Sequence, residues 1–134
     1  MKRFASAWTL FAVLSGWSLH AQSVDLRANI PFNFWVGNVA LPAGDYLVHP
    51  APNFLLVREQ NGRHAVMVLR QEASQPAALK TAMLEFNHYR ETYFLAKAFV
   101  PGGWGAAVPM TSQEKGYAKE AGLARSTTIL LSRK

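Results

Sequence analysis

The segment from Asn53 to Arg70 constrains the fold more than any other. Two runs rich in β-forming residues flank Asn61-Gly62, the pair preferred in a type I′ two-residue hairpin loop. Such a loop sets the register: Gln60 opposite Arg63, Glu59 opposite His64, Val57 opposite Val66, and Leu55 opposite Val68. Side chains alternate along a strand, so one face carries Leu55, Val57, Val66 and Val68. The other carries Phe54, Leu56, Ala65, Met67 and Leu69. Both faces are apolar and both call for cover. One can meet the core; the other needs a helix, another sheet or a partner chain.

The rest of the chain supports an all-β reading, because turn residues recur roughly every ten positions. Pro31 to Val36 reads as a strand with Phe32, Phe34 and Val36 on one face and Trp35 on the other. Gly37-Asn38 breaks it, Pro42-Ala43-Gly44-Asp45 makes a second turn, and Tyr46 to Val48 continues as the next strand. A second hairpin is expected from Thr81 to Val100 around Arg90-Glu91. Pairing Tyr89 with Thr92 puts Leu84, Phe86, His88, Tyr93, Leu95 and Phe99 on one face. Arg90 and Glu91 are poor residues for the positive φ of a primed turn. Gln71 to Ala78 reads as a connecting loop, and Pro101-Gly102-Gly103-Trp104-Gly105 as an irregular stretch.

One helix is expected over residues 112–121. Thr111-Ser112-Gln113-Glu114 fits a capping box, Tyr117, Ala118 and Ala121 share a face, and Gly122 is a natural stop. Gly116 inside it costs roughly 1 kcal/mol relative to Ala, so the helix leans on tertiary packing. Thr127 to Leu131 reads as a final strand. The fold expected is thus an antiparallel meander of about seven strands, closed as a small sandwich or barrel, with one short helix near the C-terminus.

Lys2 and Arg3, the apolar run Phe4 to Leu19, and Leu19-His20-Ala21 together read as a signal peptide cleaved after Ala21. Residues 1–21 would be removed and 22–134 would form a single β-rich domain in the periplasm or outside the cell. The apolar run is shorter than the roughly 20 residues of a membrane-spanning helix and is interrupted by Ser and Thr. An integral membrane protein is therefore not expected. Cleavage lowers the formal charge from +6 to +4. The chain has no cysteine, so disulfides, thiolate metal sites and thiol nucleophiles are excluded, and packing alone must stabilise an exported protein.

Several of these motifs resemble a family of small secreted hypothetical proteins of soil bacteria. The specific part is Ile30-Pro31-Phe32-Asn33-Phe34-Trp35-Val36-Gly37 followed by Leu41-Pro42-Ala43-Gly44-Asp45-Tyr46-Leu47-Val48. Asn61-Gly62, Phe86 to Tyr89, Tyr93-Phe94-Leu95, and Pro109-Met110-Thr111 with Glu114 fit as well, so the resemblance covers most of residues 28–115. Asn33 stands where such sequences are usually acidic, and Arg90 where a glycine is expected. The family has no assigned activity; the resemblance implies a β-rich fold and export, and no site.

Chemistry is sparse. His49, His64 and His88 are 15 and 24 residues apart, without a second ligand at metal-binding spacing, so no metal or cofactor is expected. His64 opposes Glu59 in the hairpin and reads as half of a surface charge pair. No nucleophile elbow, P-loop or dinucleotide fingerprint occurs, and the carboxylates are scattered. No catalytic residue is assigned and an enzyme is not expected. The basic residues are dispersed and export removes nucleic acid as a partner. The leading expectation is a non-enzymatic exported protein that binds or assembles through its β-sheet, with itself or another envelope protein on the Asn53–Arg70 hairpin. The alternative is a small-ligand or glycan-binding module for polysaccharide or another anionic surface; an envelope hydrolase is a third, weaker reading. Candidate ligand contacts are Trp104, Trp35, Tyr93 and His88. Trp104, among glycines, can stack on a sugar ring or a cation, or else fold back to plug one end of the sheet.

Overall fold

The computed structural model describes residues 25–74, 79–102, 104–122 and 124–133. The expected signal peptide and its cleavage site lie outside the described residues. The described residues form two β-sheets and one helix. The first sheet has five strands. In spatial order they are β12 (Ser132–Arg133), β1 (Leu26–Ile30), β4 (Gly44–Pro50), β5 (Phe54–Glu59) and β6 (Ala65–Leu69), all antiparallel. The second runs β11 (Arg125–Leu130), β8 (Met83–Tyr89), β9 (Thr92–Val100), β10 (Trp104–Ala107) and β7 (Gln71–Glu72). Two short strands, β2 (Phe34–Val36) and β3 (Val39–Leu41), join it through β2, which lies parallel to the start of β9. β9 is the spine, holding β8 along one edge and β2 then β10 along the other.

The inner faces of the two sheets share one core. Ile30, Tyr46, Val48, Leu55 and Val57 come from the first sheet, and Phe34, Leu84, Phe86 and Leu95 from the second. The strand alternation that directs these residues inward is the one the apolar spacing predicts. In the β5–β6 hairpin, Val57 faces Val66 and Leu55 faces Val68 as expected. Its loop differs. Asn61 has no positive φ, Gly62 alone reaches φ 77°, and Glu59 O accepts from Gly62 N at 2.9 Å. Glu59 N donates to His64 O at 2.8 Å, so Gln60 to Arg63 form a four-residue loop in place of a type I′ turn. The Asn61 carboxamide accepts from Arg63 N, which holds Asn61 in the ordinary backbone region.

Other differences have equally local causes. The described residues form twelve short strands where about seven are expected, and the β2–β9 pair is parallel, so the sheets are more than a meander. The alternation Leu26, Ala28, Ile30 makes a strand that the reading from Pro31 onward missed. Pro31 to Asn33 lie outside any strand, and Asn33 Oδ1 accepts from Ala43 N at 2.9 Å, tying the two proline-containing motifs together. In the β8–β9 hairpin Tyr89 pairs with Thr92, but a bulge beside Glu85 and Phe86 leaves Ala96 unpaired. The extra residue reverses alternation, putting Ala98 in the core opposite Leu84 and turning Phe99 to the other face. Arg90 takes φ 56°, the left-handed conformation a glycine would adopt freely. Trp104 opens β10 instead of lying in an irregular stretch; Gly103 is outside the described residues. Gly105 is needed for close approach: a Cβ there would stand 2.4 Å from Ala73 O.

The helix α1 spans Ser112–Ala121, with Thr111 Oγ1 accepting from Glu114 N and Gly122 (φ 79°) closing it. The Glu114 carboxylate completes no capping box. It turns into the second sheet, where Asn87 Nδ2 and Tyr89 Oη both donate to Oε2 at 2.9 Å, and the residue is 4% exposed. Tyr117 packs on Phe94 from the same side, with ring centroids 5.6 Å apart. The helix therefore covers the outer face of the seven-stranded sheet. Replacing Glu114 with Ala strands the buried Tyr89 hydroxyl and the half-buried Asn87 amide and should cost about 2–4 kcal/mol in urea unfolding, with Glu114→Gln losing less than half of that. A loss below about 0.5 kcal/mol for the alanine variant would contradict this anchoring role.

Candidate functional site

The four candidate contact residues do not form one site. His88 and Tyr93 are cross-strand partners near the β8–β9 turn and stack at 4.0 Å. Phe32 lies on the other side of Tyr93 at 3.7 Å, so three rings stand in a pile at one end of the core. Trp35 sits on the opposite face of the same sheet, 6.2 Å from Phe94 and nearly parallel to it. Trp104 pairs with Val100 at the far end of β9, roughly 20 Å from Tyr93 by strand rise.

Trp104 is half-buried against the core. The Arg70 guanidinium lies 4.5 Å over its ring and donates to Pro52 O and Gly105 O at 2.9 and 3.0 Å. The cation on this indole is thus supplied by the protein itself.

A cleft of about 650 Å³ opens beside the ring pile, between the β8–β9 turn, the start of β11 and the end of α1. His88, Arg90 and Arg125 line it, His88 and Arg125 being direct partners across β8 and β11. Arg90 also borders a neighbouring hollow with Tyr117 and Glu120. Basic groups beside stacked rings suit an anionic ligand with a flat face.

The outer face of the five-stranded sheet is different in character. Toward β1 it is polar: His49 Nδ1 lies 3.0 Å from Asp25 Oδ1, with Arg58 nearby. The hollow at this dyad is lined by Asp25, Leu47, His49, Leu56 and Arg58, and none of them carries a hydroxyl or thiol nucleophile. On the core-facing side, at the hairpin end, His64 Nδ1 pairs with Glu59 Oε2 at 2.6 Å, as the hairpin register requires. Toward β6 the outer face becomes apolar. Phe54 and Leu56 are half-buried, while Met67 and Leu69 are 66% and 77% exposed. Among the described residues no group of three His, Asp or Glu could hold a metal ion. No helix among them is long and apolar enough to cross a membrane.

β6 is also the last strand of its sheet. Antiparallel ladders alternate between residues bonded to the neighbour and residues whose backbone points away. The bonds Glu59 N to His64 O and Arg70 N to Asn53 O set that alternation for β5 and β6. Val66 and Val68 therefore bond to β5, whereas Ala65, Met67 and Leu69 direct both N–H and C=O outward. The residues whose backbone groups point away from β5 are also those with exposed side chains. The sequence predicted a second apolar face; its coincidence with a bare edge requires the strand order.

Two outcomes are expected. Trp104→Ala should lower stability by about 2–3 kcal/mol, since it removes half-buried indole surface and the Arg70 contact; a change within about 0.5 kcal/mol would point to a solvent-presented ring. Burial, followed by the hydrogen bond and charge of Glu114, pushes the Tyr89 hydroxyl up to about 12. Burial and the Glu59 charge push Tyr46 up to about 12 as well. An unfolded tyrosine loses its proton near pH 10. The stabilisation is therefore fully present below pH 10 and is lost as pH rises through about 12. Urea midpoints should be insensitive to these groups from pH 8 to 9.5 and drop by pH 11.5, with Tyr89→Phe removing part of the drop.

No family model, curated protein or solved structure matches the chain, so its own surfaces must carry the functional reading.

Proposed function

We propose that the chain is an exported, non-enzymatic envelope or extracellular protein that acts by binding or assembly on the outer face of its five-stranded sheet. Export rests on Lys2, Arg3 and the apolar run ending at Leu19-His20-Ala21. The observation that carries the binding reading is the exposure of Met67 and Leu69 on an edge strand. Edge strands of stable monomers are usually blunted by Pro, Lys, a bulge or a covering loop. Ala65-Val66-Met67-Val68-Leu69 contains none of the first three, and its pairing with β5 is regular. The apolar side chains are wasted in water but useful against a partner.

A second reading, a module for acidic polysaccharide or another anionic ligand, is favoured by the His88–Arg90–Arg125 cleft beside the Phe32–Tyr93–His88 rings. A photo-crosslinking residue at Leu69, in cells exporting the protein, separates the two. The first reading expects adducts at Leu69 and none at Lys119 on the helix. Absence of adducts at Leu69, with polygalacturonate binding lost in an Arg90→Ala/Arg125→Ala variant, would replace it with the second.

A further inference from the structure

We propose that the occupant of the β6 edge is a second copy of this chain, paired antiparallel with Met67 of each copy on a two-fold axis normal to the sheet. This inference rests on the assembly reading given above and specifies its partner and register.

The backbone pattern selects that register. Along β6, the N–H and C=O groups of Ala65, Met67 and Leu69 point away from β5, and none of them bonds to another of the described residues. Centring the axis on Met67 pairs Met67 with Met67 of the second copy, and Ala65 with Leu69 of the second copy in both directions. All three residues then bond, with six hydrogen bonds across the interface. A slip of two residues either way leaves only two pairs and four bonds. A slip of one residue sets outward-pointing groups against groups already bonded to β5.

In the centred register Ala65, the smallest residue of the edge, stands opposite Leu69, and Met67 opposite Met67. No charged side chain lies between Ala65 and Leu69, so self-pairing brings no like charges directly opposite one another. A two-fold axis normal to the sheet keeps both cores on one side. The two five-stranded sheets become one of ten, and the Phe54, Leu56 and Met67 surfaces of both copies become continuous.

The absence of cysteine makes the register directly testable. In the centred pair the Met67 Cα atoms stand about 5.5 Å apart, within disulfide range. Exported Met67→Cys protein should therefore oxidise to a covalent dimer. Leu69→Cys alone should not, because its mate lies about 13 Å away along the strand, while Leu69→Cys mixed with Ala65→Cys should cross-link. Sedimentation of the unmodified protein should show a concentration-dependent dimer. Met67→Pro removes only an outward N–H, so it should leave the circular dichroism spectrum intact and give a monomer. Should that variant fail to fold, the cysteine contrast decides alone. Equal cross-linking of Met67→Cys and Leu69→Cys would overturn the register. A monomer at every concentration would overturn the dimer. If photo-adducts to a different protein still formed at Leu69, the broader assembly reading would survive that failure; if none formed, both would fall.

Discussion

Two packed sheets present four faces, and the described residues include one short helix with which to cover the outer two. The inner pair bury each other. Where the helix goes is decided by Glu114, whose carboxylate can be buried only where donors meet it. Asn87 and Tyr89 on β8 provide them, and Phe94 receives Tyr117 beside them. That choice commits the helix to the seven-stranded sheet. Among the described residues, the outer face of the five-stranded sheet is left without a helix over it.

The consequences are graded across that open face. Near β1 and β4 it carries the Asp25–His49 pair with Arg27 and Arg58, groups that water solvates readily. Near β6 it carries Phe54, Leu56, Met67 and Leu69, which water does not. A chain stabilised without a single disulfide has little free energy to spare for apolar exposure. The bulge that blunts edges elsewhere is used inside the other sheet, at Ala96, where it turns Phe99 to the outer face, still buried, and brings Ala98 in between the sheets. Arg70, just after β6, ties that strand's end to β10 through Gly105 O and the Trp104 ring. The C-terminal end of the edge strand is thus fixed to the second sheet.

Much of this was legible in the residues. Apolar alternation and a short loop placed Val57 against Val66 and His88 against Tyr93, because strand register depends on local spacing. Thr111 and Gly122 bounded the helix through backbone caps, also a local matter. What escaped depended on contacts distant in sequence. Glu114 looked like the closing half of a capping box, yet its partners lie 25 and 27 residues away. The β2–β9 pair is parallel and joins segments nearly sixty residues apart. Ala96 carries no mark of a bulge. For Trp104 the surrounding glycines suggested a loop and left presentation and folding back both open; it is half-buried at the start of β10, and Gly105 lets the Ala73 carbonyl approach. Arg90, where a glycine is the easier residue, was the one departure whose structural meaning could be read in advance.

Amide-resolved hydrogen exchange across a dilution series tests most directly whether the open edge works as a pairing surface. Val66 and Val68 bond to β5 and should stay protected at every concentration. The amides of Ala65, Met67 and Leu69 should be protected in concentrated solution and lose that protection together on dilution. Uniform protection of all five amides in dilute solution would mean that the chain itself covers β6. Free exchange of the three outward amides at the highest concentration would mean that no second copy pairs there, and either result would contradict the account.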